Sequence, residues 1–238
     1  LKSIYEVPTL DKYVPISKKS KFTRGRMTTL WSNKTGRTHY FWSKLMESVF
    51  YYLEYSAAVD IREAFPLIEI ANALSEEEMS LMSHYRNKTI DEYHQLTTSF
   101  LITMPDGSLK AIATKYSSDL KKKESIRFIH LQKRFWSDYY GIEFSIVTEK
   151  EVDLTVVQNL KTIREIQFVE KEIPEKITED LFDEMRKSKM CIKDFCEVHG
   201  LDQLGIMTEL RKKIFSRELK VDLHVIFSLE TCLVDFIR

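Results

Sequence analysis

Residues 99–116 place the tightest limit on the fold. Ser99-Phe100-Leu101-Ile102-Thr103-Met104 reads as a strand, Pro105-Asp106-Gly107-Ser108 as a tight turn, and Leu109 to Tyr116 as the returning strand. The two strands read as a hairpin in a mixed α/β layer fold with a central sheet. The flanking segments supply its neighbours. Met27–Trp42 carries short alternating stretches around Asn33-Lys34-Thr35-Gly36 and predicts a second hairpin. Leu45, Met46, Val49, Phe50, Leu53 and Ala57 have helical spacing behind Ser43 as N-cap. Ala58 to Phe65 alternates up to Pro66, as a strand does. Ser75 with Glu76, Glu77 and Glu78 predicts a helix start running to about Arg86. Asp119 to Tyr140 predicts one long basic helix with Ile126, Ile129, Phe135 and Trp136 turned inward and Gly141 ending it. Ile142–Thr148 predicts a buried strand and Glu151–Leu160 a helix. This order describes an α/β domain with a mixed central sheet.

The pattern changes after Val169. Lys171-Glu172-Ile173-Pro174-Glu175 reads as a linker, followed by short helices over Thr178–Lys187, Ile192–His199 and Gln203–Ser216. Leu219–Phe227 and Leu229–Phe236 alternate like a small hairpin, and three helices with a two-stranded wing outline a winged helix. The predicted divisions are a basic arm (1–26), an α/β domain (27–169) and a winged-helix domain (170–238).

The net charge of zero conceals local clusters. Residues 1–42 hold nine basic and two acidic side chains, and residues 110–136 hold eight and two. Such clusters act on a polyanion whatever the rest of the chain carries, although a solvated face is the plainer reading. No apolar run approaches the ~20 residues that span a bilayer, so no membrane partner is expected. Leu1-Lys2-Ser3-Ile4-Tyr5 has neither the apolar core nor the cleavage site of a secretory leader. Three cysteines make no disulfide scaffold, and the expectation is a cytoplasmic protein. Cys191, Cys196 and His199 lack a fourth ligand at zinc spacing, so no metal site is expected there.

Several motifs together resemble the TnsA family, the endonuclease subunits of heteromeric cut-and-paste transposases. They are Ser32-Asn33-Lys34-Thr35-Gly36-Arg37-Thr38-His39, Asp60-Ile61-Arg62-Glu63-Ala64-Phe65-Pro66-Leu67, Thr98-Ser99-Phe100-Leu101-Ile102, Lys133-Arg134-Phe135-Trp136 and Ile146-Val147-Thr148-Glu149-Lys150-Glu151. They fall in the family's order over about residues 25–170. The resemblance implies a restriction-endonuclease-like domain, magnesium as cofactor in active members, and three partners: a TnsB-like transposase, a TnsC-like ATPase and transposon-end DNA.

It also implies where the chemistry should sit. Active members hold magnesium with carboxylates on the first helix, at the start of the central strand and on the basic helix, with a lysine ending the returning strand. These positions are Met46, Ser99, Gln132 and Lys115 here, and Ala113 stands two before the lysine, where active nucleases carry a polar or acidic residue. Only Lys115 matches. The implied expectation is a degenerate site with no metal. The alternatives are a rearranged site using Glu47, Asp106 or Asp119, which would cut the 5′ transposon ends, and a winged-helix DNA-binding regulator. Candidate DNA contacts are Lys34, Arg37, His39, Arg127, Lys133, Arg134, Arg211 and Lys212. Plainer readings make Met46 a core residue, Lys115 an ordinary strand lysine, His39 an exposed histidine, Trp136 a buried anchor, and Asp60, Arg62 and Glu63 an ion network.

Overall fold

A computed structural model describes residues 3–15, 27–68, 96–169 and 178–238, with residues 70, 75 and 77 besides. Apart from Ser75 and Glu77, the predicted helix at 75–86 lies outside the described residues, as do the linker at 171–175 and the basic run at 16–26. Two compact units divide the chain, Leu1–Val152 and Asp153–Arg238. The helix expected at Glu151–Leu160 therefore falls in the second unit, not the first.

In the first unit, β1 (Thr28–Ser32) and β2 (Arg37–Phe41) form the expected antiparallel hairpin. Gly36 closes its turn in the left-handed region, at φ +67°. The four-stranded sheet has the order β3 (Asp60–Pro66), β4 (Thr97–Thr103), β5 (Leu109–Thr114), β6 (Glu143–Val147). The first two pairings are antiparallel and β5–β6 is parallel, so the sheet is mixed.

Two apolar clusters sandwich this sheet. On one face α1 (Lys44–Tyr55) packs Leu45, Val49, Phe50 and Leu53 against Ile61, Phe100, Ile102 and Ile112. Ser43 caps α1 through its hydroxyl, which accepts from the Met46 N–H at 3.1 Å. On the other face Phe135 and Trp136 pack with Phe65, Leu101 and Ala111. Ile4 and Tyr13 join this second cluster from two short 3₁₀ turns, Ile4–Glu6 and Leu10–Lys12. Residues 3–15 are thus anchored on the domain through Ile4 and Tyr13, where an extended arm was expected.

Ala64, at φ +46°, interrupts the alternation of β3. Its pairing with Ser99 is missing, while Glu63↔Phe100 and Phe65↔Thr98 hold on either side. Glu63 faces the hairpin and α1; Phe65 faces Trp136. A regular strand would put both on one side.

Three expectations need correcting in this unit. The long basic helix is three pieces: a 3₁₀ turn at Asp119–Lys121, α2 (Lys123–Lys133) and a wider π-helical turn at Arg134–Tyr139. Ile126 is 41% exposed, because the inward face is set by Ile129, Leu131, Gln132, Phe135 and Trp136. The strand after Gly141 is not buried: it borders β5 alone, and Ile146 is 38% exposed.

The second unit holds α3 (Leu154–Arg164), α4 (Glu179–Lys187), α5 (Ile192–His199), α6 (Gln203–Phe215) and the short α7 (Leu233–Phe236). Each of α3 to α6 starts on a side-chain cap, from Asp153, Thr178, Cys191 and Asp202. The wing hairpin does not form among the described residues. The buried Asn159 donates to the carbonyls of Leu223 (2.8 Å) and Val225 (2.7 Å) and accepts from the Phe227 N–H at 2.9 Å. A side chain thus takes the backbone groups that a ladder would use. Only isolated bridges remain, at Cys191↔Cys232 and Val221↔Ile237, and residues 233–236 are helical. No described helix is long and apolar enough to cross a membrane.

Candidate functional site

The β4–β5 pairing brings Ser99, Ala113, Thr114 and Lys115 to one end of the sheet. Ser99 lies opposite the break at Ala64. Its hydroxyl accepts from the Thr114 N–H at 2.9 Å and lies 3.0 Å from the Thr114 hydroxyl. The side chain thereby replaces a backbone carbonyl in the ladder. Ala113 is buried in the parallel pairing with Ile146. The Lys115 N–H donates to the Val147 carbonyl (3.1 Å), which extends that pairing. Its ammonium stands 5.8 Å from the centre of the Phe128 ring, a cation–π separation.

Gln132 is buried on α2, and its amide oxygen accepts from the Thr98 hydroxyl at 2.9 Å. The same hydroxyl accepts from the Trp136 indole N–H at 2.6 Å. Trp136 is therefore a buried anchor with its polar end satisfied. Met46 packs its thioether at the margin of the α1 cluster.

Magnesium, the ion the resemblance implies, is a hard dication. A hard dication takes oxygen ligands, chiefly carboxylates and waters. Met46 offers sulfur, Ala113 offers nothing, and the Ser99 and Gln132 oxygens are already bonded to Thr114 and Thr98. The residues at the implied ligand positions do not fit the ion. The substitute acids have other partners. Glu47 is buried and accepts from Lys44 (2.7 Å) and Tyr51 (3.2 Å). Asp106 holds the exposed turn through the Ser108 N–H (2.9 Å) and hydroxyl (2.6 Å). Asp119 pairs with Lys122 at 2.6 Å, and that bond, helped by Lys115, holds its carboxyl below the usual range. Among the described residues no three His, Cys, Asp or Glu side chains are grouped to hold a metal. Cys196 is buried, Cys191 caps α5, and His199 stacks on Phe195 with centroids 4.2 Å apart.

The motif around Gly36 builds a buried polar cluster instead of an exposed phosphate contact. Arg37 forks onto Glu63 at 2.9 and 2.6 Å and donates to the Ile61 carbonyl at 2.7 Å. His39 Nδ1 lies 2.9 Å from Glu63 Oε2, and its Nε2 lies 2.7 Å from the Thr35 hydroxyl. Tyr40 N–H adds a third donor to Glu63 at 3.1 Å. Burial pushes the Glu63 carboxyl up, but the bonds from His39 and Arg37 outweigh it and hold it at about 2. Burial pushes His39 down despite Glu63, so the ring is neutral near pH 7. That assigns the Nδ1 proton toward Glu63 and leaves Nε2 to accept from Thr35. Arg37 and His39 are thus withdrawn from solvent, and His39 is not the exposed histidine of the plain reading. Lys34 caps the C-terminus of α1, donating to the carbonyls of Ser56 (2.7 Å) and Leu53 (3.4 Å). Asp60 and Arg62 make the neighbouring ion pair at 3.2 Å.

The remaining basic candidates are distributed differently. Arg127, Lys133 and Arg134 are exposed on α2 and its π turn. Lys212 is exposed on α6 in the other unit, whereas Arg211 is half-buried with its Nε enclosed. Sequence reasoning missed Thr35, Thr98 and Asn159. Their roles depend on partners 4 to 68 residues away, and no local pattern marks them.

The mixed sheet between a helix and a basic helical segment, followed by further helices, is consistent with a restriction-endonuclease-like fold. The particular relative found is the transposon Tn7 transposition protein TnsA of Escherichia coli, 30% identical over 147 residues, which cover 60% of this chain and 52% of that protein. The chain thus spans about half the length of the curated relative it matches. No family model matches it. The similarity is a distant one to TnsA.

Proposed function

We propose that this protein is a DNA-handling subunit of a transposition complex whose nuclease-like site does not hold magnesium. It engages transposon-end DNA together with a TnsB-like transposase and a TnsC-like ATPase, and it leaves the 5′ strands uncut. The observation that carries this reading is Ser99: where the family places a metal-binding carboxylate, a hydroxyl is bonded to the Thr114 N–H within the sheet. Each charge pair at 4 Å is worth about 4 kcal/mol at an effective dielectric of 20, so losing the carboxylates forfeits the attraction that captures a dication. Lys115 then repels the ion. The exposed Arg127, Lys133 and Arg134 supply phosphate contacts.

The test is to incubate the purified chain with DNA carrying element ends in magnesium or manganese, then reconstitute it with the partner transposase and ATPase. The expected results are no nicking by the chain alone and joined products that keep the donor attached. Nicking that disappears in Lys115→Ala would overturn the reading in favour of a rearranged site. Glu47, Asp106 and Asp119 would then be the carboxylates to replace first. Failure to bind the transposase, the ATPase and end DNA alike would remove the transposition role.

A further inference from the structure

The π turn at Arg134–Tyr139 changes what the end of the basic helix presents. Lys123, Arg127 and His130 on α2 and Arg134 at the start of the π turn are exposed and recur at helical intervals, which places them along one side. Asp138 follows on the same side, so the row is basic without being uniformly so. Had the helix stayed α-helical, Tyr139 would lie about 140° around the axis from Arg134. In a π turn, at about 4.4 residues per turn, residue i+5 lies only roughly 50° around from residue i; the Tyr140 N–H donates to the Phe135 carbonyl, five residues back, at 3.3 Å. Tyr139 is thereby brought onto the side of Arg134.

Tyr139 is 48% exposed and meets Tyr140 edge-on at 4.9 Å. Tyr140 in turn meets Tyr5 at 6.2 Å, also edge-on, and Tyr5 is 67% exposed. The tyrosines are held from beneath. Tyr140 packs on Phe135 at 5.0 Å, and Ile4, next to Tyr5, is fully buried in the same cluster. The result is a row of basic side chains leading to an anchored group of aromatic rings. Two of these rings are about half exposed or more.

We infer that this surface binds single-stranded DNA, its phosphates along Lys123, Arg127, His130 and Arg134 and its unpaired bases on Tyr139 and Tyr5. Cations that track a backbone and end on exposed aromatic rings are how unpaired strands are held without sequence preference. A duplex hides its base faces, so it engages the basic row and leaves the tyrosines unused. The inference deepens the transposition reading and rests on it for the biological source of the strand, the unpaired DNA flanking a joined end.

The experiment titrates the full chain against two fluorescein-labelled probes, an oligothymidylate of about 16 nucleotides and a blunt duplex of the same length, by anisotropy. The expected result is that Tyr139→Ala and Tyr5→Ala each weaken oligothymidylate binding about tenfold, as loss of one stacked base does, and change duplex binding less than twofold. Tyr139→Trp should keep the affinity and show indole quenching by the bound strand. Arg127→Ala should weaken both probes and flatten the single-strand salt dependence by about 0.7 in slope. Thermal melts of each variant separate loss of contact from loss of fold.

Duplex binding without binding of oligothymidylate, or a Tyr139→Ala protein that melts normally and binds oligothymidylate like the parent, overturns the inference and leaves the transposition reading standing. Tyrosine-dependent binding of oligothymidylate with no duplex binding supports the inference and counts against the end-binding role. Binding of neither probe overturns the inference and takes the DNA contact out of the transposition reading, which then depends on binding to the transposase and the ATPase.

Discussion

Glu63→Gln tests the electrostatic account of the core. The substitution keeps the shape and removes the charge that Arg37 forks onto. Depression of the carboxyl from the ordinary glutamate range to about 2 corresponds to roughly 3 kcal/mol at 1.36 kcal/mol per unit. Removing one partner of a buried pair costs about 3–5 kcal/mol by independent precedent, because the other charge is left uncompensated. At about 2–4 °C per kcal/mol for a unit of this size, the variant should melt about 6–12 °C lower at pH 7. The pH dependence has a definite sign. A carboxyl held below its unfolded value stabilises above about pH 4.3, and that stability drains away as pH falls toward 2. His39, held down, adds to acid sensitivity from its unfolded value near 6.5 downward, because the fold disfavours its protonated form. Urea melts between pH 7 and pH 2 should therefore show a steeper acid loss in the parent than in Glu63→Gln. Arg37→Met/Glu63→Leu should recover part of the loss, since apolar replacement of both partners is tolerated better than orphaning one. A Glu63→Gln protein within 1 kcal/mol of the parent, with the same acid slope, would refute the assignment of Glu63 as the ionised centre of this cluster.

Thr98→Val removes the hydroxyl shared by Gln132 and Trp136 and should cost about 2–4 kcal/mol in urea denaturation, with a change in indole fluorescence. Asn159→Ala should abolish hydrogen-exchange protection at the Phe227 amide and destabilise the second unit by about 2–3 kcal/mol. Met46→Glu/Ser99→Asp returns carboxylates to two implied ligand positions; millimolar manganese should raise its melting temperature by a few degrees and leave the parent unmoved.

The α/β order was legible because its signals are local. Ser43 before a helical apolar face, Pro105-Asp106-Gly107-Ser108 between two apolar runs, and Asn33 to Gly36 between alternating ones each specify an element within about ten residues. The ion network at Asp60, Arg62 and Glu63 was legible in outline, since three charges inside an apolar strand need partners. Its other half was not. Arg37 and His39 read as phosphate contacts because the sequence does not show that β2 lies under Glu63. The wing failed for a related reason: alternation in 219–236 suggested a ladder, but Asn159, over 60 residues earlier, claims the backbone groups first. The π turn leaves no pattern of its own, because its apolar positions, Phe135 and Trp136, also suit a continuing α-helix.

The break at Ala64 uncouples the two halves of β3. Ile61 and Glu63 answer to the hairpin and α1, whereas Phe65 answers to the layer around Trp136, on the side where Arg62 stands over its ring. Side chains in either half can therefore be exchanged without re-phasing the other, and drift on the face that carries the polar cluster need not disturb the face that supports the basic helix. Glycine at residue 64 would preserve this arrangement, while a β-branched residue would press the backbone toward a continuous strand and bring Glu63 and Phe65 into competition for one side.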